Sequence, residues 1–257
     1  MITDILIACT GWVVGAIVNY LADVLPLRRR LVRPFCIACD QSQDLVSYAI
    51  WPRRCRNCGV MRSWRIWLVE IIYILLSIWL WRTPGAEFGY WAGLLVFAFF
   101  GVVVIIDLEY RLILHPVSIA GAIIAFVFGL YFHDLPTTIL GGVVGFGSMW
   151  LVYQFGILLI RFINKRKQGQ YVEEVAFGFG DVNLGGVIGL LLGWPSILVG
   201  LFLTVFLAGV VNLIYLIIML LLRKYKLFSA LPYGPNMVAA ALLIIYFRDE
   251  IIALLTR

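Results

Sequence analysis

The chain has 257 residues, of which 63% are hydrophobic and only 13% charged, with a mean hydropathy of +1.00. That is too little charge to clothe a soluble domain of this length, so an ordinary soluble globular fold is excluded. The net charge of +6 needs no nucleic-acid partner, because Arg and Lys beside membrane spans meet anionic lipid head groups.

A membrane span needs roughly 20 apolar residues. In chain order the candidate spans are 2–21, 66–82, 89–106, 117–133, 137–160, 182–199, 201–222 and 236–247. The expectation is therefore an all-α polytopic protein with about eight transmembrane helices, its surface covered by the lipid bilayer. The first stretch has Asp4 near its start and lacks both a basic leading region and an Ala-x-Ala-like cleavage site, so it reads as a retained span. Cys9 within it reads as a small apolar packing residue. The break between the sixth and seventh spans is weakly marked: Gly200 is one candidate, and Gly193-Trp194-Pro195-Ser196 is the other. The run Gly141-Gly142-Val143-Val144-Gly145 reads as a helix-packing face, and Asn212 as an interhelical hydrogen-bond partner.

Between the first two spans lie Cys36-Ile37-Ala38-Cys39 and Cys55-Arg56-Asn57-Cys58. Two C-x2-C pairs with fifteen residues between them can present four thiolates tetrahedrally to zinc. With Cys36, Cys39, Cys55 and Cys58 as ligands no open position remains, so the expected zinc is structural. It would fold a small knob whose Arg residues face the membrane surface or a substrate.

The basic residues set an orientation. With eight spans, one side of the membrane carries 17 of the 20 Lys and Arg, nine of them Arg in residues 23–65. The positive-inside rule makes that side cytoplasmic and puts the N-terminus outside. It also makes the cysteine loop reducing, against disulfides.

Two aspartates stand at span ends. Asp107 closes the apolar run 91–106, and Asp181 opens 182–192 directly after Gly178-Phe179-Gly180. An interfacial anchor or helix cap is the plain reading of both; it is strong for Asp181 and weaker for Asp107, whose charge opposes the dipole at a helix C-terminus. Span parity places both on the cytoplasmic side at similar depth, where they could meet. Two carboxylates sharing a site hold one proton between them, so that one can activate water while the other protonates a leaving amine. Gly178 and Gly180 permit close backbone approach beside Asp181, leaving room for an extended substrate strand. Glu70, about one turn inside the second span, is costly to bury and has snorkelling as its simplest account.

Gly178-Phe179-Gly180-Asp181 resembles the Gly-x-Gly-Asp motif of type IV prepilin peptidases, which are intramembrane-type aspartic proteases. The stretch 15–26 with Asn19, the paired C-x2-C loop, Trp64-Arg65 with Leu68-Val69-Glu70, Ile106-Asp107-Leu108 and Pro232-Tyr233-Gly234-Pro235 resemble further segments of that family in the same order. The resemblance implies removal of the leader of prepilins or pseudopilins at the cytoplasmic face of the bacterial inner membrane, with Asp107 and Asp181 as the catalytic pair. It raises a functional role for Glu70 at the substrate. It also implies methylation of the new N-terminus with S-adenosylmethionine as donor. The chain would then divide into a first span (1–22), a cytoplasmic zinc-binding loop (23–65) and a transmembrane protease core (66–257). Departures from the family pattern are Val24 in place of Arg, Leu114 and His115 in place of Pro-Asp, and Asn183 in place of Lys. The acidic residues Glu109, Glu173 and Glu174 join Glu70 as candidate contacts for a basic leader. Two rivals are a proton-coupled transporter using the two aspartates and a catalytically idle adaptor docking through its zinc knob.

Overall fold

A computed structural model describes residues 2–50, 53–83, 89–166, 178–222 and 232–247. Among these, nine helices follow one another: α1 (Ile2–Arg28), α2 (Leu45–Ala49), α3 (Arg65–Arg82), α4 (Gly89–Tyr110), α5 (His115–Phe132), α6 (Leu135–Arg166), α7 (Phe179–Leu192), α8 (Ser196–Leu221) and α9 (Gly234–Tyr246). Apart from the five-residue α2, one helix stands at each of the eight expected spans, but the sixth ends at Leu192 instead of 199 and the seventh begins at Ser196. The helices α1, α4, α5, α6 and α8 are long and apolar enough to cross a membrane. The 18-residue α3 carries Arg65, Glu70 and Arg82. At 14 and 13 residues, α7 and α9 are about 20 Å long, shorter than the hydrocarbon layer. Large apolar side chains such as Ile123, Phe155, Phe202 and Val205 face outward, as lipid rather than water requires. The molecule is a polytopic α-helical membrane protein.

The chain divides into two compact units, Met1–Ile106 and Asp107–Arg257. In the first unit α1 lies directly on α3. A side chain at Gly11 would come within 2.5 Å of the Tyr73 carbonyl oxygen, and one at Gly15 within 3.0 Å of the Glu70 Cα, so small residues set this close approach. Two buried polar side chains bridge the pair: Ser77 Oγ donates to the Ile7 carbonyl (2.7 Å) and Asn19 Nδ2 to the Ile66 carbonyl (3.1 Å). Tyr73 donates its hydroxyl to the Phe97 carbonyl (2.7 Å), joining α3 to α4. Such bonds are worth on the order of 1 kcal/mol each inside a membrane, so packing carries most of the association.

In the second unit α6 and α7 meet along a glycine seam. A Cβ on Gly141 or Gly145 would collide with the carbonyl oxygen of Gly189 or Gly185, and the collisions are reciprocal. The expected packing face of 141–145 is therefore seated on α7, the helix that begins with the Gly178–Asp181 motif.

The weakly marked break resolves at Gly193–Pro195, while Gly200 is buried within α8. Gly193 ends α7 with φ +67°, a conformation that suits glycine, and Trp194 donates its N–H to the Thr137 carbonyl at 3.0 Å. Two further expectations are corrected. Cys9 is exposed on α1 rather than packed, and Asn212 Nδ2 donates to the Ala208 carbonyl of its own helix at 2.7 Å instead of bridging helices. Glu173, Glu174, Lys167, Arg223, Lys224, Lys226, Arg248 and Arg257, which entered the charge and contact arguments, lie outside the described residues.

Candidate active site and metal centre

The cysteine loop folds as two copies of one turn. Cys36 N–H donates to the Gln41 carbonyl and Asp40 N–H to the Cys36 carbonyl; Cys55 N–H donates to Val60 and Gly59 N–H to Cys55. Each turn closes through a left-handed residue four positions after its first cysteine, Asp40 at φ +58° and Gly59 at φ +69°. Asx residues and glycine tolerate that conformation best. The four sulfurs lie within 4.8 Å of one another, with Cys36–Cys58 and Cys39–Cys55 at 3.5 Å. Four thiolates around one tetrahedral zinc stand about 3.8 Å apart, so the cluster fits a metal ion. The backbone amides of Cys58 and Asn57 pull the Cys55 thiol down to about 6, toward the thiolate that a metal requires, while burial and the neighbouring thiols push that of Cys58 up to about 12.

The Arg residues of this knob do not all face outward. Arg53 is buried against Glu70, its Nη2 reaching Oε1 at 2.9 Å and Oε2 at 2.7 Å. Trp12 Nε1 donates to the same carboxylate at 3.1 Å, and the Arg53 guanidinium stacks 3.9 Å from the Trp67 ring centroid. Glu70, expected from the resemblance to meet substrate, is thus committed inside the first unit to Arg53 and Trp12, and its burial is offset by an ion pair instead of by snorkelling. Asp23 forms a second anchor, taking hydrogen bonds from Arg62, Arg65 and the Tyr48 hydroxyl (2.7 Å from Tyr48). Burial, and then the Asp23 charge, keeps that hydroxyl protonated well above its ordinary range. Beside these anchors a cavity of about 1090 Å³ opens between α1 and residues 31–50, with Trp12, Tyr20, Tyr48, Gln43 and Asp44 among its walls.

The second unit holds both aspartates. Asp107 lies near the C-terminal end of α4 and is 5% exposed; Asp181 lies in the first turn of α7 and is 9% exposed. They are within electrostatic reach of each other. Each takes one glycine amide: Gly178 N–H donates to Asp181 Oδ2 at 2.9 Å, and Gly234 N–H donates to Asp107 Oδ2 at 3.1 Å. Gly178 is the N-cap of α7 and Asp181 its third residue, which is half of a capping box. A side chain at Gly180 would lie 2.7 Å from Ile113 Cβ, whereas one at Gly178 would touch nothing closer than 3.8 Å. Gly180 therefore serves tight packing, and among the described residues Gly178 leaves open space beside Asp181.

Sequence reasoning missed Arg53 and Asp23 as anchors, and Gly234 as the partner of Asp107. A Gly-Pro pair at a helix start marks the turn, but nothing local points to an acceptor 127 residues away.

Known proteins resemble this chain along most of its length. The type IV leader peptidase family matches residues 94–217, a stretch that contains Asp107 and Asp181. The chain is 27% identical over 210 residues to the prepilin leader peptidase/N-methyltransferase of Aeromonas salmonicida, covering 80% of this chain and 66% of the relative. It is 27% identical over 238 residues to the protein of that name from Aeromonas hydrophila (89% and 76%), and 30% identical over 213 residues to that from Pseudomonas aeruginosa (80% and 67%). The matched stretch thus spans about two thirds to three quarters of the length of these relatives. No solved structure matches the chain. With a relative at 30% identity across most of both chains and a family match over residues 94–217, the chain belongs to the type IV leader peptidase family.

Proposed function

We propose that this protein is an aspartic endopeptidase of the bacterial inner membrane that removes the leader from type IV prepilins or pseudopilins, with Asp107 and Asp181 as its catalytic pair. The observation that carries the reading is the pair itself: two buried carboxylates in one unit, within electrostatic reach, each steadied by a glycine amide. Two such carboxylates share a proton. The ionised one takes a proton from water as it attacks the scissile carbonyl. The protonated one gives its proton to the leaving nitrogen as the C–N bond breaks. No covalent acyl-enzyme forms. The open space at Gly178 would accept the extended leader junction, with Gly180 holding the turn close to Ile113.

The N-terminus lies outside and the active site on the cytoplasmic side, as the Arg and Lys distribution favours. Cys36, Cys39, Cys55 and Cys58 hold a structural zinc, supported by the sulfur spacing and the paired turns. Glu70 bears on the substrate only through the loop it anchors by Arg53. A second activity, methylation of the new N-terminus, would draw on S-adenosylmethionine. The cavity walled by Trp12, Tyr20, Tyr48 and Asp44 has the volume and the aromatic and acidic groups for such a donor.

The test is incubation of purified protein in detergent with a panel of leader-bearing pilin peptides, read by mass spectrometry. Leader loss supports the protease, and a further gain of one methyl group on adding S-adenosylmethionine supports the second activity. Intact peptides across the panel would refute the reading.

A further inference from the structure

We propose that Gly234, at the start of α9, is a positioning residue of the active site: its amide fixes Asp107, and only glycine leaves room for that carboxylate. The claim rests on reading Asp107 and Asp181 as the catalytic pair.

The two aspartates are held differently. Asp181 takes its amide from Gly178, three residues away in the same helical turn, so folding of α7 alone orients it. Among the described residues, the hydrogen-bond donor to the Asp107 side chain is Gly234, 127 residues further along the chain. Asp107 thus depends on α9 for this hydrogen bond. The contact is buried, and a Cβ at Gly234 would stand 2.6 Å from Asp107 Oδ2 and 3.2 Å from its Cγ. Since φ of Gly234 lies outside the left-handed region, backbone conformation does not demand glycine here; space for Asp107 does.

The amide cannot retreat from an added methyl group at little cost. Met237, Ala240 and Ala241, in the following turns of α9, are at most 1% exposed. The first turn is closed by Asn236 and Met237 N–H groups on the Tyr233 carbonyl, at 3.1 and 3.3 Å. The preceding residue, Tyr233, is within electrostatic reach of Asp181. One short segment therefore addresses both carboxylates.

The experiment compares Gly234→Ala with Gly209→Ala, the latter a helical glycine whose Cβ would meet nothing within 4 Å. Displacing a reacting group by about 1 Å costs on the order of 100-fold in rate. Gly234→Ala should lower kcat for leader-peptide cleavage by about that factor, change KM by less than about threefold, and shift the pH–rate profile. Gly209→Ala should change none of these. A kcat within about threefold of wild type, or a fall with an unmoved pH profile, overturns the proposal. A second measurement needs no substrate and no Gly234 variant. In hydrogen exchange read by mass spectrometry, Asp107→Ala should speed exchange of the segment 233–236 by at least about tenfold, because the amide loses its acceptor. Asp181→Ala should leave it slow. Equal exchange in wild type and Asp107→Ala, in a protein that cleaves leader peptides, sinks the positioning role while the protease reading stands. Failure of wild type to cleave, with exchange responding as stated, sinks the protease reading instead.

Discussion

Arg53 and Glu70 form a buried ion pair in which each partner is about 5% exposed, linking the cysteine loop to the second turn of α3. Both carboxylate oxygens are engaged by Arg53 Nη2, and Trp12 of α1 adds a third hydrogen bond. The loop is thereby pinned to two helices at a point 17 residues along the chain from Arg53. A pair of this kind adds little stability compared with well-packed apolar residues, yet breaking it is costly, because the remaining charge stays buried.

Glu70→Ala alone should therefore destabilise the protein by about 3–5 kcal/mol, as should Arg53→Ala. The double variant Arg53→Met with Glu70→Met should lose markedly less than the sum of the single changes. Equilibrium unfolding in mixed micelles measures all three. Additive losses would show that the two side chains do not act as a unit.

Asp107→Ala and Asp181→Ala should each reduce cleavage of a leader-bearing peptide by about 100- to 10,000-fold, the range expected for loss of an acid–base group. Both proteins should keep wild-type helix content and bound metal. A transporter would lose flux instead of cleavage, and an adaptor would lose neither. Cleavage assays with circular dichroism and metal analysis separate these outcomes.

Metal analysis of the purified protein should give one zinc per chain, and Cys36→Ser with Cys55→Ser should abolish it. Removal of zinc by a strong chelator should open residues 34–62 to limited proteolysis, since two short turns have too little core to hold their fold unaided. The helices of the second unit should stay protected. Persistence of the knob without metal would count against a structural role.

The α6–α7 seam predicts a sharp contrast between neighbouring glycines. Gly145→Val or Gly189→Val would force backbones apart and should cost about 1–3 kcal/mol, with cleavage falling as α7 shifts Asp181. Gly147→Ala, which meets nothing within 4 Å, should be neutral. Thermal unfolding in detergent, run beside the cleavage assay, reads both effects.

The helices were legible because membrane embedding imposes long apolar runs, and charge then marks their ends. The four-cysteine cluster was legible because its members come in two local pairs whose spacing is itself the geometry. The glycine face of 141–145 was legible as a packing surface, although its partner, Gly185 and Gly189, was not. The two aspartates could be singled out as charges at the edges of apolar runs. By contrast, the break at Gly193 depended on a left-handed residue seated against Thr137 and His133, which local sequence only hinted at. The pairing of Arg53 with Glu70, the gathering of Arg62 and Arg65 on Asp23, and the hold of Gly234 on Asp107 all join residues far apart in the chain. Residue type announces that a buried charge or a lone glycine needs a reason. Which atom supplies it depends on how helices dock in three dimensions, and that was decided by the tertiary structure alone.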